Sequence, residues 1–250
     1  MTYYKPSMPV WDFAEPLLSA PHVLIAGATG SGKNVLLDDM IFSLFGSTTP
    51  ASAKIILVDP KRVELVKYKS SAFCIRYASE PKDIISAIDY AIEIMDERYK
   101  DMQREGSTLY EGSNIYLIID ELADLMITIK ADVLPRLQRL AQLGRSARVH
   151  VWAASQSPSR ITIPAALTLN FTHKIALRCD SAIESRQVIG RNGAELLPIW
   201  GECFIKAPGT VYKQAIPLTP PELLDERIAF WKTTRPKVNK KSLLQRIFCA

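Results

Sequence analysis

The sequence has 250 residues, of which 48% are hydrophobic, and this length and composition suit one α/β domain with a buried core. The longest apolar stretches, such as residues 115–119, are far too short to cross a bilayer, and the N-terminus lacks a basic region followed by an apolar run. We therefore expect a cytoplasmic protein without a membrane span. The cysteines Cys74, Cys179, Cys203 and Cys249 are widely spaced and form no CxxC pair, which argues against a disulfide framework and a zinc site.

The net charge of +5 is unevenly distributed along the chain. From residue 227 onward there is no acid, and the basic residues are Arg227, Lys232, Arg235, Lys237, Lys240, Lys241 and Arg246. A basic tail of this kind can attract nucleic acid or an acidic membrane surface, and a solvated terminus is an equally good interpretation.

Short apolar runs alternate with longer segments of helical period, which is typical of an α/β fold with a mainly parallel central sheet and helices on both faces. We predict an extended arm over residues 1–21, a domain over 22–217, and a C-terminal helix with a basic tail over 218–250. The predicted strands cover residues 22–26, 54–59, 72–78, 115–120, 149–154 and 173–178. Two further strands, 202–206 and 210–216, flank Ala207-Pro208-Gly209 and predict a closing hairpin.

Two long helices are predicted between these strands. Apolar residues recur at three- and four-residue steps over residues 81–104, so this segment is an amphipathic helix whose acidic face is solvated and carries ion pairs such as Asp96 with Lys100. A second helix over residues 131–143 ends at Gly144.

The first predicted strand leads into a phosphate-loop pattern, Gly-x4-Gly-Lys, and a helix-compatible segment follows it. Glycines allow backbone N–H groups to surround a phosphate, and the helix N-terminus adds partial positive charge. The sequence therefore predicts an ATP site in which Lys33 reaches the β- and γ-phosphates. The predicted cofactor-binding residues of this segment are Gly27, Ala28, Thr29, Gly30, Ser31, Gly32, Lys33, Asn34 and Val35.

Two adjacent acids, Asp120 and Glu121, end the predicted strand over residues 115–120. The carboxyl end of a parallel strand is where such sheets bind ligands, so these acids should lie beside the phosphate loop. We predict that Asp120 holds Mg²⁺ through a water and that Glu121 polarises the attacking water. The alternative is a strand end that passes into a polar turn. Asn34 stands where Ser or Thr normally gives a hydroxyl to Mg²⁺, and its amide oxygen is a metal ligand of different reach.

With these residues in place, the chain resembles the motor domain of the FtsK/SpoIIIE DNA translocases, within the wider FtsK/HerA group of RecA-like P-loop ring ATPases. The resemblance covers residues 21–208. Its strings are PHVLIAGATGSGK from Pro21, VDPKRVEL from Val58, MDERY from Met95, IDELADLM from Ile119, RLAQ from Arg139, ASQSPS from Ala154, and Ser185-Arg186.

The resemblance implies a hexameric ring that threads double-stranded DNA, with ATP sites between subunits. It implies that Gln156 senses the γ-phosphate and that Arg145 enters a neighbouring subunit's site, with Arg186 as the second candidate. The physical alternative for Arg145 is a cation that satisfies a helix C-terminus. Asp59, Lys61 and Arg62 belong to the motor's signature by resemblance, which adds Asp59 and Lys61 to the predicted cofactor-binding residues. The physical alternative is that the three form a polar turn.

The chain has no counterpart of the family's membrane-spanning region, linker, accessory subdomain or winged-helix domain, so we expect a minimal motor. Its expected partners are DNA and copies of itself, and a membrane-bound or relaxase-type protein is a further candidate. Two other functions remain open. One is an ATP-dependent switch or scaffold with weak hydrolysis, and the other is a P-loop kinase, which the pairing of Glu121 with Asp120 disfavours.

Overall fold

The computed structural model describes residues 14–156, 163–216, 226 and 228–230. The helices are α1 Ala14–Ser19, α2 Lys33–Ser47, α3 Pro81–Glu105, α4 Leu122–Thr128, α5 Lys130–Leu143, α6 Ala165–Thr168 and α7 Ala182–Ile189. Two short 3₁₀ helices are Val66–Tyr68 and Ala194–Leu196. The strands are β1 His22–Ala26, β2 Ala53–Val58, β3 Cys74–Ala78, β4 Asn114–Ile119, β5 Val149–Ser155, β6 His173–Ala176, β7 Glu202–Ala207 and β8 Thr210–Ala215.

The strands form one eight-stranded sheet in the order β3-β2-β4-β5-β1-β6-β7-β8. Strands β1 to β6 pair in parallel, whereas β7 runs antiparallel to β6 and closes the sheet as a hairpin with β8. This confirms the predicted fold class, a mainly parallel α/β sheet with a C-terminal hairpin. Each predicted strand is present, with small shifts at its ends; the strand expected over 72–78, for example, begins at Cys74.

Helices cover both faces of the sheet because successive residues of a strand point to opposite sides. In β1, Val23 and Ile25 join a core that contains the buried residues of α2, while Leu24 joins a second core with α3 and α5. β1 is therefore a central strand. The loop that follows it lies at the carboxyl ends of the parallel strands, near the middle of the sheet.

The long helix α3 begins with Pro81 and ends at Glu105. It is capped by Gly106, whose left-handed φ of 67° suits a glycine C-cap. The predicted ion pair between Asp96 and Lys100 is wrong, because Asp96 has a different partner. Asp96 pairs instead with Arg139 of α5 at 2.8 Å. The acidic face of α3 is thus partly used to hold α5, because the two helices pack side by side on the same face of the sheet.

The N-terminal segment differs from the expected extended arm where the structure describes it. Residues Ala14–Ser19 are helical, and Leu17 is buried against α2 because its apolar side chain completes that core. Residues 1–13 and nearly all of the basic tail lie outside the described residues. None of the described helices combines the length and apolarity that crossing a membrane requires.

Candidate functional site

The segment between β1 and α2 has the backbone geometry of a phosphate loop. Gly30 and Gly32 have φ values of 79° and 89°, which side-chain-bearing residues rarely adopt. A Cβ atom at Gly27 would lie 2.5 Å from Ser31 Oγ and 2.7 Å from Leu177 Cβ, so only glycine fits there. The turn then enters α2 at Lys33, with its backbone N–H groups at a helix N-terminus.

Neighbouring strands hold this loop at both sides. The Gly27 N–H donates to the Ser155 carbonyl at 3.3 Å, and the Ala28 N–H donates to the Arg178 carbonyl at 2.8 Å. On its outer side the Trp200 indole donates to the Gly30 carbonyl at 2.8 Å. The sequence analysis missed these three partners, because hydrogen bonds from distant segments leave no signal in the loop itself.

Lys33 joins the loop to the two acids that follow β4. Its Nζ donates to the Asp120 carbonyl at 3.0 Å and lies 3.6 Å from Glu121 Oε2 and 4.0 Å from Asp120 Oδ1. All three side chains are buried. The predicted juxtaposition of the loop with Asp120 and Glu121 is therefore what the structure shows.

Glu121 is fixed by backbone donors from two elements. It is the N-cap of α4, with Oε1 accepting from the Ala123 N–H at 3.4 Å, and both its oxygens lie within 3.2 Å of the Gln156 N–H. Lys61 Nζ approaches Oε2 at 3.9 Å. The carboxylate thus connects the ends of β4 and β5 with the loop after β2.

Gln156 follows β5 and lies directly opposite the phosphate loop. Thr29 Oγ1 donates to its side-chain oxygen at 3.3 Å. The side chain of Gln156 therefore contacts the phosphate loop directly.

Asp59 and Lys61, predicted as cofactor-binding residues, lie in different environments. Asp59 is fully buried, and its carboxylate accepts from the Val63 and Leu65 N–H groups, at 3.4 and 3.0 Å. The Tyr77 hydroxyl is a third donor, at 3.3 Å. Asp59 therefore holds the turn that carries Lys61.

Lys61 is partly exposed and pairs with Asp124 at 3.4 Å as well as approaching Glu121. Arg62 points away from this cluster and pairs with Glu80. Of the three polar residues that follow β2, Lys61 is thus the one that reaches the acids.

Asp120 and Asn34 present oxygen atoms suited to Mg²⁺. Asp120 Oδ1 and Asn34 Oδ1 are both buried and have no hydrogen-bond partner within the described part of the chain. Burial raises the pKa of Asp120 to about 6, even though Lys33 opposes this effect. Mg²⁺ usually takes one or two protein oxygens and completes its shell with water and phosphate, so these two residues fit it.

One candidate arginine, Arg145, lies away from this cluster. Arg145 follows α5 and precedes β5, so the length of β5, roughly 20 Å, separates it from Gln156. It lines a cavity of about 560 Å³ with Arg148 and His150. Arg186 lies on α7, exposed, and donates to the Asn192 side-chain oxygen at 2.8 Å. Arg145 therefore lies at the end of β5 opposite to the phosphate loop of its own chain.

Comparisons with known proteins agree with this geometry. A family model described as the FtsK/SpoIIIE family matches residues 9–116 and 105–160. The DNA translocase FtsK of Clostridium acetobutylicum is 37% identical over 208 residues, covering 77% of this chain and 27% of that protein. The DNA translocase FtsK of Agrobacterium fabrum is 30% identical over 261 residues, covering 87% and 29%. The chain thus spans less than a third of these relatives' length.

Two solved structures share the fold. The cytoplasmic domain of the Thermomonospora curvata type VII secretion ATPase EccC matches with a TM-score of 0.71 and 24% identity, over 87% of this chain and 28% of that chain. The pCW3 conjugation coupling protein TcpA, in its monomer form with ATPgS, matches with a TM-score of 0.73 and 22% identity, over 86% and 66%. At these identities the likeness supports the fold alone.

Proposed function

The chain belongs to the FtsK/SpoIIIE family, and from that premise we propose that it is an ATPase that uses hydrolysis to move double-stranded DNA. The observation that carries the proposal is the meeting of Lys33, Asp120, Glu121 and Gln156 at the mouth of one glycine-rich loop. A loop for phosphates, a pair of acids and a polar sensor together form the parts that nucleotide hydrolysis requires.

Lys33 is held by Asp120 and Glu121 at the end of the loop that would bind the phosphates. The two acidic side chains orient this ammonium in a buried place, where an unpaired cation would be costly. A bound triphosphate supplies the same negative charge, so the nucleotide can take over Lys33 at small cost.

Glu121 is the proposed proton acceptor for the attacking water. The donors from Ala123 and Gln156 fix its carboxylate, and Lys33 becomes available to leave it when a phosphate binds. Mg²⁺ held by Asp120 and Asn34 would neutralise charge on the phosphates. Gln156 then links the same acid to the loop through Thr29.

Oligomerisation would complete the site. Arg145 lies at the amino-terminal ends of the parallel strands, whereas the phosphate loop of the same chain lies at their carboxyl ends. It can therefore stabilise charge on a γ-phosphate only across an interface between copies of the chain. We propose a homo-oligomeric ring, hexameric by family resemblance, with DNA as the translocated partner.

The test is the steady-state ATPase rate of the wild type and of Glu121→Gln, each with and without long duplex DNA. The amide can still accept the two backbone hydrogen bonds but cannot take a proton, so we expect DNA to stimulate the wild type and the variant to be at least about 100-fold slower. Glu105→Gln, on the exposed end of α3, is the matched control and should behave as wild type. If duplex DNA has no effect and Glu121→Gln equals wild type, the proposal fails.

A further inference from the structure

An exposed tryptophan lies on the outer side of the phosphate loop. Trp200 belongs to the connection between the 3₁₀ helix Ala194–Leu196 and β7, and its side chain remains 61% exposed. Its indole N–H donates to the Gly30 carbonyl at 2.8 Å, and a Cβ atom at Gly32 would lie 3.7 Å from Trp200 Cδ1. One edge of the ring is thus anchored to the loop, while much of its surface faces solvent.

The sheet order gives the direction in which a nucleotide would lie. Lys33 meets the acids after β4 and the loop meets Gln156 after β5, so the γ-phosphate end belongs on that side of β1. β6 and β7 lie on the other side of β1. A triphosphate that follows the loop therefore directs its nucleoside towards β6 and β7, where Trp200 lies.

We propose that Trp200 is the base-binding residue of this site and stacks on the purine ring of the nucleotide. This inference rests on the proposed nucleotide site. Stacking of an aromatic side chain on a base lowers the free energy of binding. In proteins that bind single-stranded nucleic acids, replacing such an aromatic residue by alanine weakens affinity roughly 5- to 150-fold. The hydrogen bond to Gly30 orients the indole before the ligand arrives, which reduces the entropy lost on binding.

The experiment measures binding of ATP and of inorganic triphosphate, each with Mg²⁺, to wild type, Trp200→Ala and Trp200→Phe by calorimetry. Triphosphate contacts the same loop and lacks a base. We expect Trp200→Ala to bind ATP about tenfold more weakly and triphosphate as wild type does, while Trp200→Phe retains most of the ATP affinity. Leu196→Ala, at the exposed end of the 3₁₀ helix that precedes this connection, is the control and should change neither affinity.

Intrinsic fluorescence gives a second readout that does not depend on turnover. Stacking should change the emission of the wild type on adding ATP, and this change should be absent from Trp200→Phe. Unchanged ATP affinity in Trp200→Ala, or equal weakening of ATP and triphosphate, would overturn the inference, since the residue would then act on the loop alone. If the wild type binds triphosphate but does not hydrolyse ATP, the proposed ATPase activity is contradicted. The contact between Trp200 and the base can still be tested in that case, because the binding measurements do not require hydrolysis.

Discussion

At the scale of single residues, Asn34 is the proposed Mg²⁺ ligand at the end of the phosphate loop. Its Oδ1 is buried without a hydrogen-bond partner among the described residues, so it is free to act as a ligand. An amide extends further from the backbone than a hydroxyl and therefore places its oxygen differently relative to Asp120.

We predict that Asn34→Ser hydrolyses ATP several-fold faster than wild type and depends more sharply on Mg²⁺, because the hydroxyl suits the octahedral shell better. Asn34→Ala offers no ligand and should fall below the wild type. The measurement is the ATPase rate across a Mg²⁺ titration, and indistinguishable curves for wild type and Asn34→Ser would show that residue 34 does not contact the metal.

At the scale of elements, the turn between α5 and β5 is held in an unusual conformation. Arg148 has a φ of 53°, which is unfavourable for a residue with a side chain. The buried Arg98 of α3 donates to the carbonyls of Ala147 and Arg148, at 2.7 and 3.2 Å, and so keeps the turn in place. Arg145 lies in this same turn between α5 and β5.

We predict that Arg148→Gly is more stable than Arg148→Ala by about 1 kcal/mol, because both variants lose the side chain but only glycine relieves the left-handed strain. Urea unfolding of the pair measures this difference. Arg145 provides the control, since its φ is not positive and glycine there should be no more stable than alanine. The same order of stability at both positions would contradict the explanation by strain.

At the scale of the whole molecule, two buried histidines lie where the chain passes from the N-terminal helix into the sheet. His150 lies against the carbonyls of Ala20 and Pro21, and the His22 ring accepts the Val151 N–H. Burial lowers the pKa of His150 to about 4. Burial also lowers the pKa of His22 to about 3, and repulsion from the protonated form of His150 adds to this effect. Both rings are therefore neutral in the folded protein at neutral pH.

A histidine whose folded pKa is depressed stabilises the fold above its unfolded pKa of about 6.5, and this contribution is lost as the pH falls, because the unfolded chain binds the proton first. His150 alone should cost about 2–3 kcal/mol between pH 6.5 and pH 4. His150→Gln should flatten the dependence of unfolding free energy on pH in this window. His173→Gln, at a less buried position, should flatten it less, and equal slopes for wild type and His150→Gln would refute the prediction.

Assembly gives a further prediction at this scale. If Arg145 acts only across an interface, Arg145→Ala and Glu121→Gln should each be nearly inactive alone, whereas a mixture contains interfaces with an intact acid and an intact arginine. We expect the mixture to recover measurable ATPase activity. Mixing Arg145→Ala with Lys33→Ala should give a similar recovery, because that loop variant also retains Arg145. No recovery in either mixture would argue that Arg145 does not act in trans.

The sequence by itself determined the sheet, its hairpin, the phosphate loop and the two acids, because strand periodicity, glycine spacing and acids at a strand end are local properties of the chain. The parallel order then brought Lys33 to Asp120 and Glu121, as expected. The helical form of Ala14–Ser19 was not predicted, since its stability comes from packing Leu17 on α2 and not from a local pattern.

Only the tertiary structure decided which polar residues work together. The Asp59 carboxylate accepts hydrogen bonds from its own turn, and Arg145 lies at the end of the strands opposite to the phosphate loop. Trp200 donates a hydrogen bond to Gly30, from which it is separated by 170 residues of sequence. Such contacts depend on where distant strands end in space, and hydrogen-bond partners so far apart leave no periodic trace in the sequence.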